Sequence, residues 1–433
     1  MIRSLKSSID TLVNFMIVSS VIGVAISYGD MYLYHICLLL MLVFLLIRLK
    51  ESHYRLNLPT HIGNLHVFFF IIFLWYSFSI LWAPNTIYAF KYLFYLFCGS
   101  ALSLSIIYFV TSMDRLDTLF KALSVIFIIE LLIALLESFS AFRMPISRYS
   151  KWASIFGKVP QDNFEFGPVN LLLQTSPPTG FHWDTNDLAL SMLLILPFFM
   201  VNKKTVTKVF GITAIITITA MASSRSVFFG LITVFLVYFF FIKKKAATII
   251  VVLGLAFVVI LGTVQLQTSE NPRLNELANS FEIVALYATG QLDVDNSLKW
   301  RFELARNGID ALIKSKGLGV GAGGSVAIQE KIGGVAGRFT SMHNFWIEIL
   351  VEAGILFFIL FSAWYIAIII NLYKILRNIK NQLSIRATAI FLSMVSFIPA
   401  ALAASSTVYF FPMWIMLGLS IAIINLNNSL IHN

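Results

Sequence analysis

A histidine, an asparagine and two glutamates follow one another at helical spacing where a long polar stretch meets an apolar one. These residues are His343, Asn344, Glu348 and Glu352. On a helix Asn344 and the two acids share one face, because residues four apart lie one above the other. Ionisable groups that enter a bilayer cost several kcal/mol unless they face protein or water. The pattern therefore indicates either a site at which the histidine moves a proton, or an interfacial histidine beside acids that pair with structural bases.

The composition is typical of a polytopic membrane protein. Of the 433 residues, 58% are hydrophobic and 12% are charged, whereas a soluble protein carries about 25% charged residues. The net charge of +10 comes from short basic clusters between apolar stretches, so it indicates membrane orientation rather than nucleic-acid binding. The N-terminal apolar run lacks a cleavage site and reads as the first span. Cys37 and Cys98 fall inside predicted spans and give no support to a disulfide framework or a zinc site.

Apolar runs of about 20 residues predict a single all-α membrane domain over 1–433, with about twelve transmembrane helices. With the N-terminus in the cytoplasm, every short cytoplasmic loop carries a base, as the positive-inside rule expects. Two long loops, near 140–184 and 265–342, then lie on the outer side, and loops of this length usually carry function. The predicted spans are near 10–28, 31–48, 65–83, 88–110, 118–139, 185–201, 206–222, 226–242, 246–264, 344–372, 386–404 and 407–426.

Two further polar residues lie at the outer ends of predicted spans. Asn186, near the end of the first loop, either caps the following helix or contacts a substrate. Arg225 lies between two spans on the outer side, where the positive-inside rule predicts no base. It either snorkels to lipid phosphates or supplies a bidentate guanidinium to a phosphorylated substrate. We favour the second role, because another base cluster lies on the same side.

The first long loop is rich in proline and aromatic residues. This composition predicts either a lid whose aromatic rings contact sugars or an aromatic belt at the membrane interface.

The second loop contains that base cluster on a predicted amphipathic helix over 297–316. The helix would lie along the outer membrane interface, with Arg301 at the edge of its apolar stripe. The glycine-rich run 317–324 follows, and it lacks the ending of a nucleotide-binding loop, so a helix stop and tight turn is the better interpretation. The loop then passes Arg338 and reaches His343. The predicted apolar stripe consists of Leu298, Phe302, Ala305, Ile309, Leu312 and Ile313.

Four segments in this order, over about 180–360, together resemble the O-antigen ligase and polymerase superfamily of bacterial membrane glycosyltransferases. They are Asn186-Asp187-Leu188-Ala189, Ser224-Arg225, Trp300-Arg301 through to Gly317-Leu318-Gly319-Val320-Gly321, and His343-Asn344 with Glu352-Ala353-Gly354.

The resemblance implies an all-α fold related to the GT-C membrane glycosyltransferases and a catalytic set of Arg225, Arg301 and His343. It also implies a metal-independent, inverting reaction without a cofactor. Arginines would stabilise the charge that develops on a departing lipid diphosphate, and a histidine can accept the proton of a sugar hydroxyl near neutral pH. Substrate contacts are predicted for a further set of residues, which comprises Asn186, Arg338, Asn344, Glu348 and Glu352.

Three functions remain open at this point. The first is a polymerase that joins lipid-linked repeat units into an O-antigen, capsule or teichuronic-type polymer. The second is a ligase that transfers the glycan to lipid A core or another acceptor, and the third is a flippase or transporter, which would tend to show internal repeats.

The resemblance places the site on the periplasmic or extracellular side of the bacterial cytoplasmic membrane. The implied partners are an undecaprenyl-diphosphate-linked glycan donor, a glycan or lipid-linked acceptor and the bilayer, together with a chain-length regulator and a flippase; no nucleic acid is expected.

Overall fold

The structure is a computed structural model that describes most of the chain as a bundle of α-helices. The described residues are 2–50, 63–159, 177–222, 224–243, 297–333, 340–378, 382–402, 406 and 408–432. The helices are α1 (Ile2–Ile22), α2 (Leu33–Lys50), α3 (Val67–Ser79), α4 (Thr86–Phe109), α5 (Met113–Phe139), α6 (Thr185–Met200), α7 (Thr205–Ala222), α8 (Arg225–Val237), α9 (Ser297–Lys314), α10 (Gly324–Ile332), α11 (Phe345–Asn378), α12 (Gln382–Ala400) and α13 (Phe411–His432). A hairpin of two short antiparallel strands, β1 (Ser27–Tyr28) and β2 (Met31–Tyr32), joins α1 to α2.

The predicted all-α polytopic fold is confirmed. Within the described residues, 8 helices are long and apolar enough to cross a membrane, and three shorter apolar helices cover Asp10–Ala25, Leu33–Ile47 and Thr185–Met200. The span predicted near 246–264 lies outside the described residues, as do residues 265–296 and 334–339 of the second long loop.

The centre of the bundle is formed by α6, α12 and α13. In α13 78% of the apolar window is buried, against 22% for Arg225–Ile242, so α13 is an inner helix and α8 a peripheral one. Every residue from Asp187 to Met200 in α6 is buried. The outer helices expose large apolar side chains such as Phe78 and Leu74, as expected for a surface that faces lipid.

The amphipathic helix predicted over 297–316 is present as α9, and the predicted apolar stripe is divided between a side that packs on the protein and an exposed side. Leu304, Gly308 and Leu312 are buried, whereas Phe302 and Ile313 are 49% and 68% exposed. Gly308 lies on the packed side, where an added Cβ would lie 2.7 Å from the Met342 side chain. The missing side chain at Gly308 lets α9 approach α11, and the exposed Phe302 and Ile313 form an apolar side suited to a membrane interface.

The glycine-rich run ends α9, as predicted, and it also holds a break in α11. The backbone of α11 is non-helical at Gly354, with φ 84° and ψ 171°. There the N–H of Ile355 donates to the carbonyl of Gly317 at 2.9 Å, and the N–H of Val320 donates to the carbonyl of Val351 at 2.9 Å. Because an interrupted helix leaves backbone groups without their usual partners, the run supplies the missing hydrogen bonds. The upper part of α11, which follows His343, is thereby fixed to α9 and α10.

Candidate functional site

A cavity of about 550 Å³ opens at one end of the bundle. It lies where α1 ends and where α4, α6, α11 and α13 begin, with the β1–β2 hairpin and part of the first long loop as further walls. The polar residues that line it are Asp30, Tyr32, Lys91, Tyr95, Arg148, Lys158, His182, Asp184, Asp187, His343 and Tyr409, and its aromatic walls include Trp183, Phe410 and Phe411.

His343 is the predicted catalytic residue that the structure brings to this cavity. It immediately precedes α11, and Asn344 caps that helix by accepting the N–H of Ile347 on Oδ1 at 3.2 Å. The backbone of His343 has φ 47°, a left-handed conformation that is rare for residues other than glycine. Such strain costs on the order of 1–3 kcal/mol and persists only where the surroundings impose it. The turn into α11 therefore fixes the backbone from which the imidazole projects.

Glu348 and Glu352 lie below His343 in the protein interior and do not line the cavity in the described part of the chain. Glu348, 1% exposed, accepts hydrogen bonds from the Tyr92 hydroxyl at 2.9 Å and from Ser406 at 2.7 Å. Glu352, fully buried, accepts one from Ser325 at 2.6 Å. These contacts favour a structural role for both acids. Their partners are hydroxyl groups, whereas the sequence suggested basic side chains. They tie α11 to α4 and α10.

Asn186 supports a cap rather than forming it. Asp184 is the residue that caps α6, since its Oδ1 accepts the N–H of Asn186 at 2.8 Å, and the Asn186 side chain donates to the same oxygen at 3.0 Å. Asp184 also pairs with Arg148. Asp184 and Asp187 line the cavity, whereas Asn186 does not belong to the described lining. The two acids on either side of Asn186 therefore reach the cavity in its place.

The two predicted catalytic arginines lie outside the described cavity lining. Arg225 is the first residue of α8, and Arg301 lies near the start of α9; both are partly buried. Because α6, α7 and α8 run alternately through the bundle, Arg225 lies at the same end as the cavity. Arg338 falls outside the described residues. The joint action of the arginines with His343 stays a prediction.

Two lysines that the sequence analysis missed share a carboxylate at the cavity wall. Asp30 lies 3.1 Å from the Lys91 ammonium and 3.7 Å from that of Lys158. Burial alone would raise the pKa of Asp30, but the two ammonium groups outweigh it and hold that pKa below its usual value. The Lys158 ammonium also lies over the rings of Tyr32 and Trp183, at 5.6 and 5.8 Å from their centres, and burial lowers its pKa. A signal existed for Lys158, which lies in the predicted outer loop near 140–184, where the positive-inside rule predicts few bases.

The first long loop is fixed to α5 at both of its described ends by one carboxylate. Glu137, 1% exposed, accepts the N–H of Met144 at 2.9 Å and the N–H groups of Thr179 and Gly180 at 2.7 Å each. A further bond joins Gly29 in the hairpin to the carbonyl of Phe156 at 2.7 Å. These contacts set the position of Arg148, Lys158 and the segment from His182 to Asp187 around the cavity.

The fold and the cavity define a multispanning helical membrane protein with a polar and aromatic chamber at one end of its bundle. Within the described residues no group of three His, Cys, Asp or Glu is placed to hold a metal ion.

The family model described as O-antigen ligase matches residues 209–362, and the predicted resemblance to the O-antigen ligase and polymerase superfamily is confirmed. The chain is also 29% identical over 127 residues to the teichuronic acid biosynthesis protein TuaE of Bacillus subtilis (strain 168). That alignment covers 29% of this chain and 26% of the relative, so it spans about a quarter of the relative's length.

Proposed function

We propose that the protein is a membrane glycosyltransferase that polymerises undecaprenyl-diphosphate-linked repeat units into a surface polysaccharide. The observation that carries the proposal is the position of His343. This histidine belongs to the segment that matches the O-antigen ligase family, and it opens into a cavity lined by carboxylates and aromatic rings. The name of the Bacillus relative assigns that protein to teichuronic acid biosynthesis, which supports a surface polymer as the product.

The proposed reaction needs a base and a stabilised leaving group. His343 accepts the proton of an acceptor hydroxyl, the hydroxyl oxygen bonds to the anomeric carbon, and the bond from that carbon to the lipid diphosphate breaks. Arg225 and Arg301 stabilise the charge that develops on the diphosphate, because a guanidinium matches phosphate oxygens bidentately. The proposed mechanism is inverting and uses no metal ion.

The cavity suits a saccharide in size and chemistry. Small-molecule sites usually enclose about 300–1,000 Å³, and this cavity of about 550 Å³ lies within that range. Asp184 and Asp187 offer oxygens that accept hydrogen bonds from sugar hydroxyl groups. Trp183 and Tyr95 offer apolar ring surfaces for the faces of a sugar ring.

The position of the cavity supports an outer-face site. Lys203 and Lys204, which belong to a predicted cytoplasmic cluster, follow the far end of α6, whereas the cavity lies at its beginning. Basic loops mark the cytoplasmic side. A lipid-linked donor would then enter from the outer leaflet.

The proposal is tested with Arg225→Ala, Arg301→Ala and His343→Ala, each assayed for polymer formation and for protein level in isolated membranes. Each variant should reach the membrane and lose polymer, since each removes a group that acts in the transition state. The matched controls are His66→Ala and Arg377→Ala at the opposite end of the bundle, which should retain polymer. Wild-type polymer levels in any of the three site variants would remove that residue from the mechanism.

Ligation to a different acceptor is the second candidate, because the matching family model is described as O-antigen ligase. Both reactions use the same base and leaving group. The purified protein, supplied with one defined lipid-linked oligosaccharide, distinguishes them. A ladder of product lengths supports polymerisation, and transfer that needs an added acceptor of another kind supports ligation.

A further inference from the structure

The structure pairs two polar residues that look unrelated in the sequence. Glu130 lies within the apolar helix α5, and His182 lies in the turn before α6, 52 positions later. His182 Nε2 lies 3.0 Å from Glu130 Oε1. An ionisable group inside a membrane helix is costly unless a partner satisfies it, and the histidine is that partner. The pair lies outside the segment that matches the O-antigen ligase family.

The imidazole of His182 is held in one orientation at the cavity wall. Its side chain is 12% exposed, while that of Glu130 is fully buried. The ring packs on Phe410 with 5.7 Å between ring centres, and the backbone N–H of His182 donates to the carbonyl of Thr179 at 2.9 Å. Since Nε2 faces Glu130, Nδ1 is the ring nitrogen left for a ligand. A buried carboxylate that orients a cavity histidine is an arrangement suited to proton transfer.

The groups around His182 favour its protonated form. Burial on its own would lower the pKa of the imidazole, but the bond to Glu130 and the charges of Glu130, Asp187 and Asp184 outweigh it and raise that pKa. Arg148 faces Asp184 and offsets part of the charge of that acid. His182 is thus set to carry a proton under conditions in which an ordinary histidine loses it.

We propose that His182, oriented by Glu130, is a second proton-transfer residue of the cavity and donates a proton to the departing diphosphate. The inference rests on the proposed glycosyl transfer. In that step the acceptor oxygen bonds to the anomeric carbon and its proton passes to His343. The electron pair of the broken carbon–oxygen bond stays on the diphosphate, which takes the proton of His182. His343 returns its proton to solvent and His182 regains one, so protons balance over a turnover.

The test is the pH dependence of single-turnover transfer by purified protein with a defined lipid-linked oligosaccharide. Wild-type activity should fall at alkaline pH as His182 loses its proton. Glu130→Gln keeps the shape of the side chain but removes the charge, so the alkaline fall should move by about one pH unit toward acid. Relative to wild type, its rate should drop about tenfold at pH 8 and stay within about twofold at pH 6. His182→Gln should lose at least about 100-fold at every pH.

Two controls keep a structural role distinct from a proton-transfer role. His66→Gln, at the opposite end of the bundle, should keep the wild-type pH profile. Nitrogen-15 spectra of labelled histidine should show that Glu130→Gln lowers the pKa of the His182 ring, and size-exclusion chromatography should show that the variant remains folded.

The possible outcomes distinguish a failure of the inference about His182 from a failure of the proposed glycosyl transfer. If Glu130→Gln lowers the transfer rate equally at all pH values, or leaves the pH profile unchanged, the inference is overturned. Transfer by the wild-type protein in the same assay still supports the proposed function. If wild-type protein transfers no sugar, the proposed function fails and the inference fails with it. A Glu130→Gln variant with an unchanged His182 pKa also overturns the inference, whatever its activity.

Discussion

Replacement of Gly354 by alanine tests whether the break in α11 fixes the upper part of that helix. A Cβ built at Gly354 would lie 2.3 Å from the Leu318 carbonyl oxygen and 2.6 Å from that of Gly317. Both are backbone atoms, so the glycine-rich run must move to admit the methyl group. The break also has φ 84° and ψ 171°, a conformation that is essentially restricted to glycine.

The expected loss of stability follows from these contacts. The backbone conformation costs about 1–3 kcal/mol for alanine. Displacement of the run also weakens the hydrogen bonds that join Ile355 to Gly317 and Val320 to Val351, each worth about 1 kcal/mol. The total is about 3–5 kcal/mol, which corresponds to a fall in melting temperature of about 3–6 °C for a chain of 433 residues. Glycosyl transfer should fall as well, because His343 precedes the displaced helix.

The assay is thermal unfolding of detergent-purified protein, with Gly333→Ala as the matched control. Gly333 also has a positive φ, 65°, but a Cβ there would meet nothing within 4 Å. Its ψ of −155° places it in the same backbone region as Gly354, so its replacement should cost about 1–3 kcal/mol for the backbone conformation without the added cost of the contact. If the two variants melt at the same temperature, the contact between the run and the break does not hold α11, and the reasoning is refuted.

Three further predictions concern the acids and the proposed chemistry. Ser325→Ala should destabilise the protein by about 1–3 kcal/mol in chemical unfolding, since buried Glu352 loses its hydroxyl partner; Ser429→Ala, which removes a bond within one helix turn, should change little. The pKa of Asp30 is lowered in the folded protein. Its contribution to the free energy of unfolding is therefore complete above the unfolded pKa and is lost as the pH falls through the folded pKa. Asp30→Asn should therefore melt below wild type at pH 7, and the gap should narrow as the pH falls below the ordinary pKa of an aspartate; a gap that does not narrow in acid would contradict the assignment. Purified protein should transfer sugar equally in EDTA, whereas activity lost to chelation and restored by a divalent ion would refute a metal-free mechanism.

Hydropathy and charge were sufficient to predict the all-helical architecture, and within the described residues the predicted boundaries differ from those of the structure by up to eight residues. A transmembrane helix is specified locally, by an apolar run of fixed length and by the bases that flank it. For the same reason α9 was predicted as a helix at the right place. The side of α9 that packs on α11 was not predicted, because the absence of a side chain at Gly308, rather than apolar character, decides which side approaches α11.

Residues of the site were predicted only where they lie next to one another in the sequence. His343 and Asn344 are adjacent in sequence, and the structure places the histidine in the cavity above the helix that Asn344 caps. Asp30, Lys91 and Lys158 come together from the hairpin, α4 and the first long loop, and no local pattern predicts that contact. Glu130 and His182 lie in separate segments, and their pairing depends on how the loop folds back over α5.

Among the described residues that line the cavity, only His343 lies within 209–362, the stretch that matches the O-antigen ligase family. The remaining lining comes from segments before and after that stretch. Two proteins can therefore share the matching stretch, including Arg225, Arg301 and His343, and differ in every other described part of the cavity wall. Under the proposed function, exchange of the β1–β2 hairpin and the loop around Lys158 between such proteins should change which substrate binds, while His343 stays the same. A comparison limited to 209–362 would regard the parent and the chimera as identical.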